Sequence, residues 1–152
     1  MPVRRTTSRA GSGKVRVLFL CTGNSARSQM AEGLLRHLGG ERVEARSAGT
    51  EPRGVHPYAV RAMAEVGIEI SHHASKSVEG FVGQRFDWVI TVCDQAREAC
   101  PVFPGARTLH WSIPDPTAAG GTEEEVLAAF RRVREELRRR IREFLDGSEA
   151  KE

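Results

Sequence analysis

Apolar residues fall alternately into short runs and helical stripes along the chain. Val15 to Cys21 (VRVLFLC) is rich in β-branched and aromatic residues, as a buried strand requires, and it stops at Thr22, Gly23, Asn24 and Ser25. From Ser28 onward Met30, Leu34, Leu35 and Leu38 recur at helical spacing until Gly39 and Gly40 end the segment. A weaker strand fits Val43 to Ala48. A second helix fits Pro57 to Val66, with Pro57 in the favoured first turn and Gly67 as its stop. Phe86 to Cys93 (FDWVITVC) is the next clear strand and Arg107 to Trp111 a fourth, followed by a Pro-rich loop from Ile113 to Thr117.

The last helix is marked by a capping box, Thr122 with Glu125, and by acids suited to the positive end of its dipole. Val126, Phe130, Val133, Leu137, Ile141 and Phe144 line one face; Arg131, Arg132, Arg134, Arg138, Arg139, Arg140 and Arg142 are expected mostly on a solvated other side, among glutamates. Strands alternating with helices predict an α/β fold, a four-stranded parallel sheet with helices on both faces. Ligands bind outside the carboxyl ends of such strands, where Cys21 and Cys93 both fall, so the two thiols are expected to share one site.

Composition narrows the class. The 152 residues suit one domain, 39% of them are hydrophobic, and no apolar run approaches membrane-spanning length. The formal charge of +3 is concentrated in Arg4, Arg5, Arg9 and Lys14; without them 19 bases face 20 acids. Residues 1–14 therefore read as a disordered basic tail, 15–146 as a single catalytic domain and 147–152 as a frayed end. A nearly neutral domain points away from nucleic acid, and the tail lacks the apolar stretch of a signal peptide. A cytoplasmic monomer with no membrane attachment is expected. Three cysteines, Cys21, Cys93 and Cys100, do not make a disulfide framework. Gly11 to Lys14 is not a nucleotide loop, because it precedes the strand and lacks the leading glycine.

Cys21, five small or polar residues, Arg27 and Ser28 stand between a strand and a helix N-terminus. The backbone N–H groups of such a loop (Thr22, Gly23, Asn24, Ser25, Ala26, Arg27, Ser28) can converge on a tetrahedral oxyanion, and Arg27 can cover it with a bidentate fork. The same positive field favours the thiolate of Cys21, which makes it a nucleophile.

Cys21 to Gly33 (CTGNSARSQMAEG) resembles the phosphate-binding loop and first helix of the low-molecular-weight protein tyrosine phosphatase superfamily. Ser47 to Thr50, His56-Pro57, Gly67 to Ser71 and Asp115-Pro116 resemble its later motifs in order, so the likeness runs from about Val15 to Leu145. Ile90 to Pro101, with Cys93 and Cys100, is similar to the redox segment of its thioredoxin-coupled arsenate reductases, as are Phe103 to Gly105 and His110-Trp111 beyond it. This resemblance implies a three-layer sandwich in which Cys21 attacks arsenate held by the loop and Arg27. Asp115 supplies a proton, helped if burial raises its pKa. Cys93 then takes Cys21 into a disulfide and arsenite leaves; Cys100 takes over Cys93, and thioredoxin reduces the Cys93–Cys100 pair. The Cys93 to Cys100 stretch, a short loop or looped-out helix, must move. No bound cofactor is expected, and phosphate or sulfate should act as arsenate analogues.

The resemblance also implies that Ser28 bonds the thiolate and that Asn24, Glu32 and Ser47 support the loop. Some of these reductases bind potassium through such residues and an aspartate; Lys76 stands in the matching region here, so no potassium requirement is expected. Phosphatases of the superfamily usually carry an aromatic after Asp-Pro, and this chain has Thr117. The competing readings are a phosphatase acting through a Cys21 phosphoenzyme and a non-catalytic oxyanion or thiol-metal binder. No Cys-x-x-Cys pair supports zinc, and Cys93 and Cys100 could merely fill the core.

Overall fold

The computed structural model describes residues 13–118 and 120–147. Most of the expected basic tail and frayed end therefore lies outside the described residues. The elements are β1 Val15–Cys21, α1 Arg27–Gly39, β2 Val43–Gly49, α2 Pro57–Ala64, β3 Trp88–Thr91, α3 Asp94–Ala99, β4 Arg107–His110 and α4 Glu123–Leu145. The strands pair in parallel in the order β2-β1-β3-β4. The chain thus leaves β1 toward one side, returns across it and continues on the other. This reversal opens a crevice beyond the carboxyl ends of β1 and β3.

Side chains alternate across each strand, so Phe19, Trp88 and Ile90 share one face of the sheet. Phe144 of α4 meets Trp88 edge-on at 5.3 Å and Trp111 at 6.4 Å, and Trp111 reaches Phe19 at 5.9 Å. Val89 and Thr91 point the other way, toward the side carrying α3, whose sole buried residue is Ala96. Phe19, Trp111, Phe130 and Phe144 are among the largest fully buried side chains, each worth about 1.5–3 kcal/mol on leaving water.

One expected strand is markedly shorter. β3 is confined to Trp88–Thr91, because Phe86 turns into an aromatic cluster with Phe81 and Phe103, while Cys93 leaves the ladder to cap α3. The Cys93 to Cys100 stretch is the helix of the two forms expected. Helix α2 ends at Ala64, two residues early. The capping box of α4 is present in both directions. None of the described helices is long and apolar enough to cross a membrane.

Arg134 is the exception to the mostly solvated arginine face. It is buried, donating 2.8 Å to the Ala62 carbonyl and 2.9 Å to Glu65. Glu65 also receives Nε and Nη2 of Arg131, so one carboxylate closes the α2 C-terminus onto α4. Hydrogen bonds from Arg131 and then Arg134 pull Glu65 down from 4.5 to about 2. A carboxyl held low when folded stabilises above its unfolded value and loses that contribution as pH falls through the folded one. Glu65→Gln is therefore expected to flatten the acid-side fall in stability between those two values, read as urea midpoints across the interval.

Candidate active site

The loop from Thr22 to Ala26 runs from the end of β1 to the start of α1, and its shape follows from where its carbonyls go. The Cys21, Thr22, Gly23 and Ser25 carbonyls accept the N–H groups of Thr50, Glu51, Arg53 and His56. The Asn24 carbonyl accepts Gln29 Nε2 and Ser75 Oγ. A trans peptide sets its N–H opposite its C=O, so with the carbonyls drawn outward the amides turn to the inner side. Helix α1 adds to this positive field: its N-cap, Ala26, makes no side-chain cap and its first turn holds no acid.

The result is a pocket of about 390 Å³ lined by Cys21, Thr22, Gly23, Ser25, Ala26 and Arg27, with Arg53, His56, Gln95, Asp115 and Thr117 around it. Of the residues expected at the oxyanion, Asn24 and Ser28 do not line it; both are fully buried behind the loop. Ser28 Oγ lies 2.9 Å from Cys21 Sγ. Because Asn24 Nδ2 donates to Ser28 Oγ at 2.8 Å, the Ser28 hydroxyl proton is free for the sulfur. Asn24 Nδ2 also donates to Ser47 Oγ, which in turn donates to Glu32 Oε1. Asn24, Ser28, Glu32 and Ser47 are thus one buried chain under Cys21.

Lys76 joins this chain. Its Nζ donates to the Ala74 carbonyl at 2.8 Å and lies 4.0 Å from Glu32 Oε1, while Arg36 bonds Glu32 Oε2. Burial, with Arg36 and Arg46 nearby, pulls Lys76 below its ordinary value, against the pull of Glu32. Two cations already serve the Glu32 carboxylate, so this donor set does not fit a potassium ion. Among the described residues no cluster of three His, Cys, Asp or Glu is placed to hold a metal.

Cys93 caps α3 and sits 3.3 Å from Thr22 Oγ1, next to Cys21 in the chain. The same hydroxyl donates to Gln95 of α3. Cys100 lies at the other end of that helix, half-buried, with Sγ donating to the Pro101 carbonyl, and burial pushes its thiol up. All three thiols are free. Seven helical steps place the Cα atoms of Cys93 and Cys100 about 10 Å apart, beyond the roughly 7 Å limit of a disulfide. The structure therefore brings Cys93 to the loop and keeps Cys100 away.

Asp115 overhangs the pocket, with Oδ2 4.0 Å from Arg27 Nη2. The expectation that burial raises its pKa is corrected. Burial does push it up, but two hydrogen bonds from Thr117 and the positive surroundings of Arg27 and His56 outweigh it, and the net direction is down. Arg27 donates to the Ile113 carbonyl at 3.0 Å and so ties the acid's loop to the oxyanion loop. Arg53, Gln95 and Gln29 carry no local mark in the sequence as site residues; Thr117 is marked only as the residue after Asp115-Pro116, and His56 only by its place before Pro57.

Gly49 shows how tightly β2 meets the loop: a Cβ there would fall 2.5 Å from the Thr22 carbonyl oxygen and 2.8 Å from the Asn24 nitrogen. Gly49→Ala is expected to weaken phosphate binding by about tenfold or more with the far-UV spectrum retained, read by calorimetry, because a loop displaced by under an ångström loses aligned donors. Replacing sodium by potassium at equal ionic strength is expected to leave turnover unchanged; a clear rise would mean that a cation site exists beside Lys76.

The chain is similar to known proteins over most of its length. Residues 16–152 match the family described as low molecular weight phosphotyrosine protein phosphatase. An arsenate reductase of Halalkalibacterium halodurans is 46% identical over 131 residues, 86% of this chain and 94% of its own. One of Bacillus subtilis is 45% identical over the same shares. A solved arsenate reductase in the phosphate binding state has a TM-score of 0.71 at 34% identity, covering 87% of this chain and 97% of that one. A thioredoxin-dependent arsenate reductase of Corynebacterium glutamicum has a TM-score of 0.73 at 31% identity, covering 99% of this chain and 69% of that one. With the four-stranded parallel sheet and the loop between β1 and α1 already in place, a match over nearly all of its length means that this chain belongs to the low molecular weight phosphotyrosine protein phosphatase family.

Proposed function

We propose that the protein is an arsenate reductase that spends two electrons from its own thiols on each arsenate and recovers them from thioredoxin. The observation that carries this reading is the seating of Cys93 Sγ 3.3 Å from the hydroxyl of Thr22, the residue that follows Cys21 and lines the pocket with it. A phosphatase has no use for a second thiol there.

Arsenate sits in the loop with its oxygens toward the inner amides and Arg27. The Cys21 thiolate, steadied by the Ser28 hydroxyl, attacks arsenic, and an oxygen leaves as water with a proton from Asp115. Asp115 is held down without ligand, but a dianion in the loop engages Arg27 and adds negative charge close by. Both effects push the carboxyl up when its proton is needed. The Cys93 thiolate then attacks Cys21 Sγ. The sulfur–arsenic bond breaks with its electron pair going to arsenic, which leaves as arsenite, and a Cys21–Cys93 disulfide remains. Cys100 attacks Cys93 and releases Cys21; the Cys93–Cys100 disulfide is then reduced by the dithiol partner. The raised Cys100 thiol and its distance from the loop keep it out of the first exchange. Free thiols in all three roles suit a reducing compartment, which supports action in the cytoplasm.

The phosphatase reading keeps one argument in its favour: a pocket that takes arsenate would take the nearly isosteric phosphate as well. Thr117, which bonds Asp115, replaces an aromatic wall, so slow hydrolysis of aryl phosphates is expected as a side activity. The test is arsenate-dependent NADPH oxidation with thioredoxin and thioredoxin reductase. Wild type is expected to sustain turnover and Cys100→Ser to stop after one equivalent of arsenite. If neither consumes NADPH and both hydrolyse p-nitrophenyl phosphate equally, the protein is a phosphatase. If Cys21→Ser retains full function, it is a binding protein.

A further inference from the structure

Helix α3 is fastened at one end only. Its first residue, Asp94, accepts a 2.9 Å hydrogen bond from His110 Nε2 on β4, and His110 Nδ1 lies 2.7 Å from Thr91 Oγ1 at the end of β3. Thr22 reaches Gln95 in the same turn, and the Ala96 N–H bonds Cys93 Sγ. At the other end the side chains of Arg97, Glu98 and Ala99 are exposed. His110 bridges Asp94 and Thr91: its Nε2–H donates to the carboxylate and its Nδ1 faces the Thr91 hydroxyl.

We propose that His110 and Asp94 are positioning residues that latch the Cys93 end of α3 to the sheet, so that the unwinding needed for the Cys93–Cys100 disulfide is confined to the Cys100 end. Helix closure and thiol exchange require opposite things of this segment. Cys93 must stay beside Cys21 while Cys100 travels several ångströms. A helix tied to Thr91 and His110 by its first residue and left free at its last turn meets both needs. The pair acts through Cys93 and touches neither arsenate nor sulfur. The kinetic part of this inference rests on the thiol-relay reading; the structural part does not.

The test uses Asp94→Ala and His110→Phe, singly and together, in the full-length reduced protein. Amide hydrogen exchange reads the latch directly: the Ala96 and Arg97 amides are expected to exchange about fivefold faster in each variant, the size of one lost hydrogen bond. Mixing with arsenate, thiol trapping and mass spectrometry read the relay. The Cys21–Cys93 disulfide is expected to form about fivefold more slowly in each single variant and no more slowly in the double one, while inorganic phosphate binds as in wild type. Unchanged exchange in α3, a wild-type rate of disulfide formation, multiplied effects in the double variant, or a parallel loss of phosphate binding would each overturn the proposal. Wild type that forms no Cys21–Cys93 disulfide, with the exchange effects intact, would overturn the relay and leave the latch standing.

Discussion

The active-site loop depends on Asn24 being held in a left-handed conformation, the only non-glycine residue among those described with positive φ, at 46°. Such a conformation costs an L-residue roughly 1–2 kcal/mol, less for asparagine. It is offset by six hydrogen bonds. The side-chain Nδ2 donates to Ser28 and Ser47, Oδ1 accepts Gln29 Nε2 and the Lys76 N–H, and the carbonyl accepts Gln29 and Ser75. At about 1 kcal/mol net for each, these exceed the strain several times over. The bonds arrive from α1, from β2 and from the segment after α2. The oxyanion cradle therefore exists only when three parts of the fold have docked around one buried amide.

The parallel sheet supplies the rest of the chemistry by bringing chain ends together. β1 and β3 are neighbours although about seventy residues separate them, so the strand that ends on Cys21 and the one leading to Cys93 end side by side. Thr22 spans the gap between them. The third thiol is kept at a distance by a helix of six residues that buries only Ala96 and is thus weakly held by packing. The sheet thus places Cys93 against the loop that follows Cys21, while α3 carries Cys100 away from it.

Arg27 and Asp115 illustrate how the charge of the site answers to its ligand. In the resting structure Arg27 and His56 help to keep Asp115 ionised, and Asp115 tends to raise His56, which burial lowers. An anionic substrate competes for the same guanidinium. Charge at this position therefore depends on the Arg27–Asp115 pair and not on either residue alone.

Much of this was legible along the chain. The buried β-branched and aromatic run ending at Cys21, the helical stripe from Met30 to Leu38 and the capping box of α4 depend on local backbone geometry and side-chain spacing, which sequence displays. The same holds for Cys21, five residues and Arg27, because strand, loop and helix follow one another without interruption. What sequence alone determined was therefore the order of the elements, the loop chemistry and the presence of three thiols. Tertiary structure decided the sign of the Asp115 shift, the burial of Arg134 against Glu65, the helical form of the Cys93 to Cys100 stretch and the places of Arg53 and Gln95. Each of these depends on partners tens of residues away, and the balance of burial against hydrogen bonding and charge exists only after the chain has closed around them.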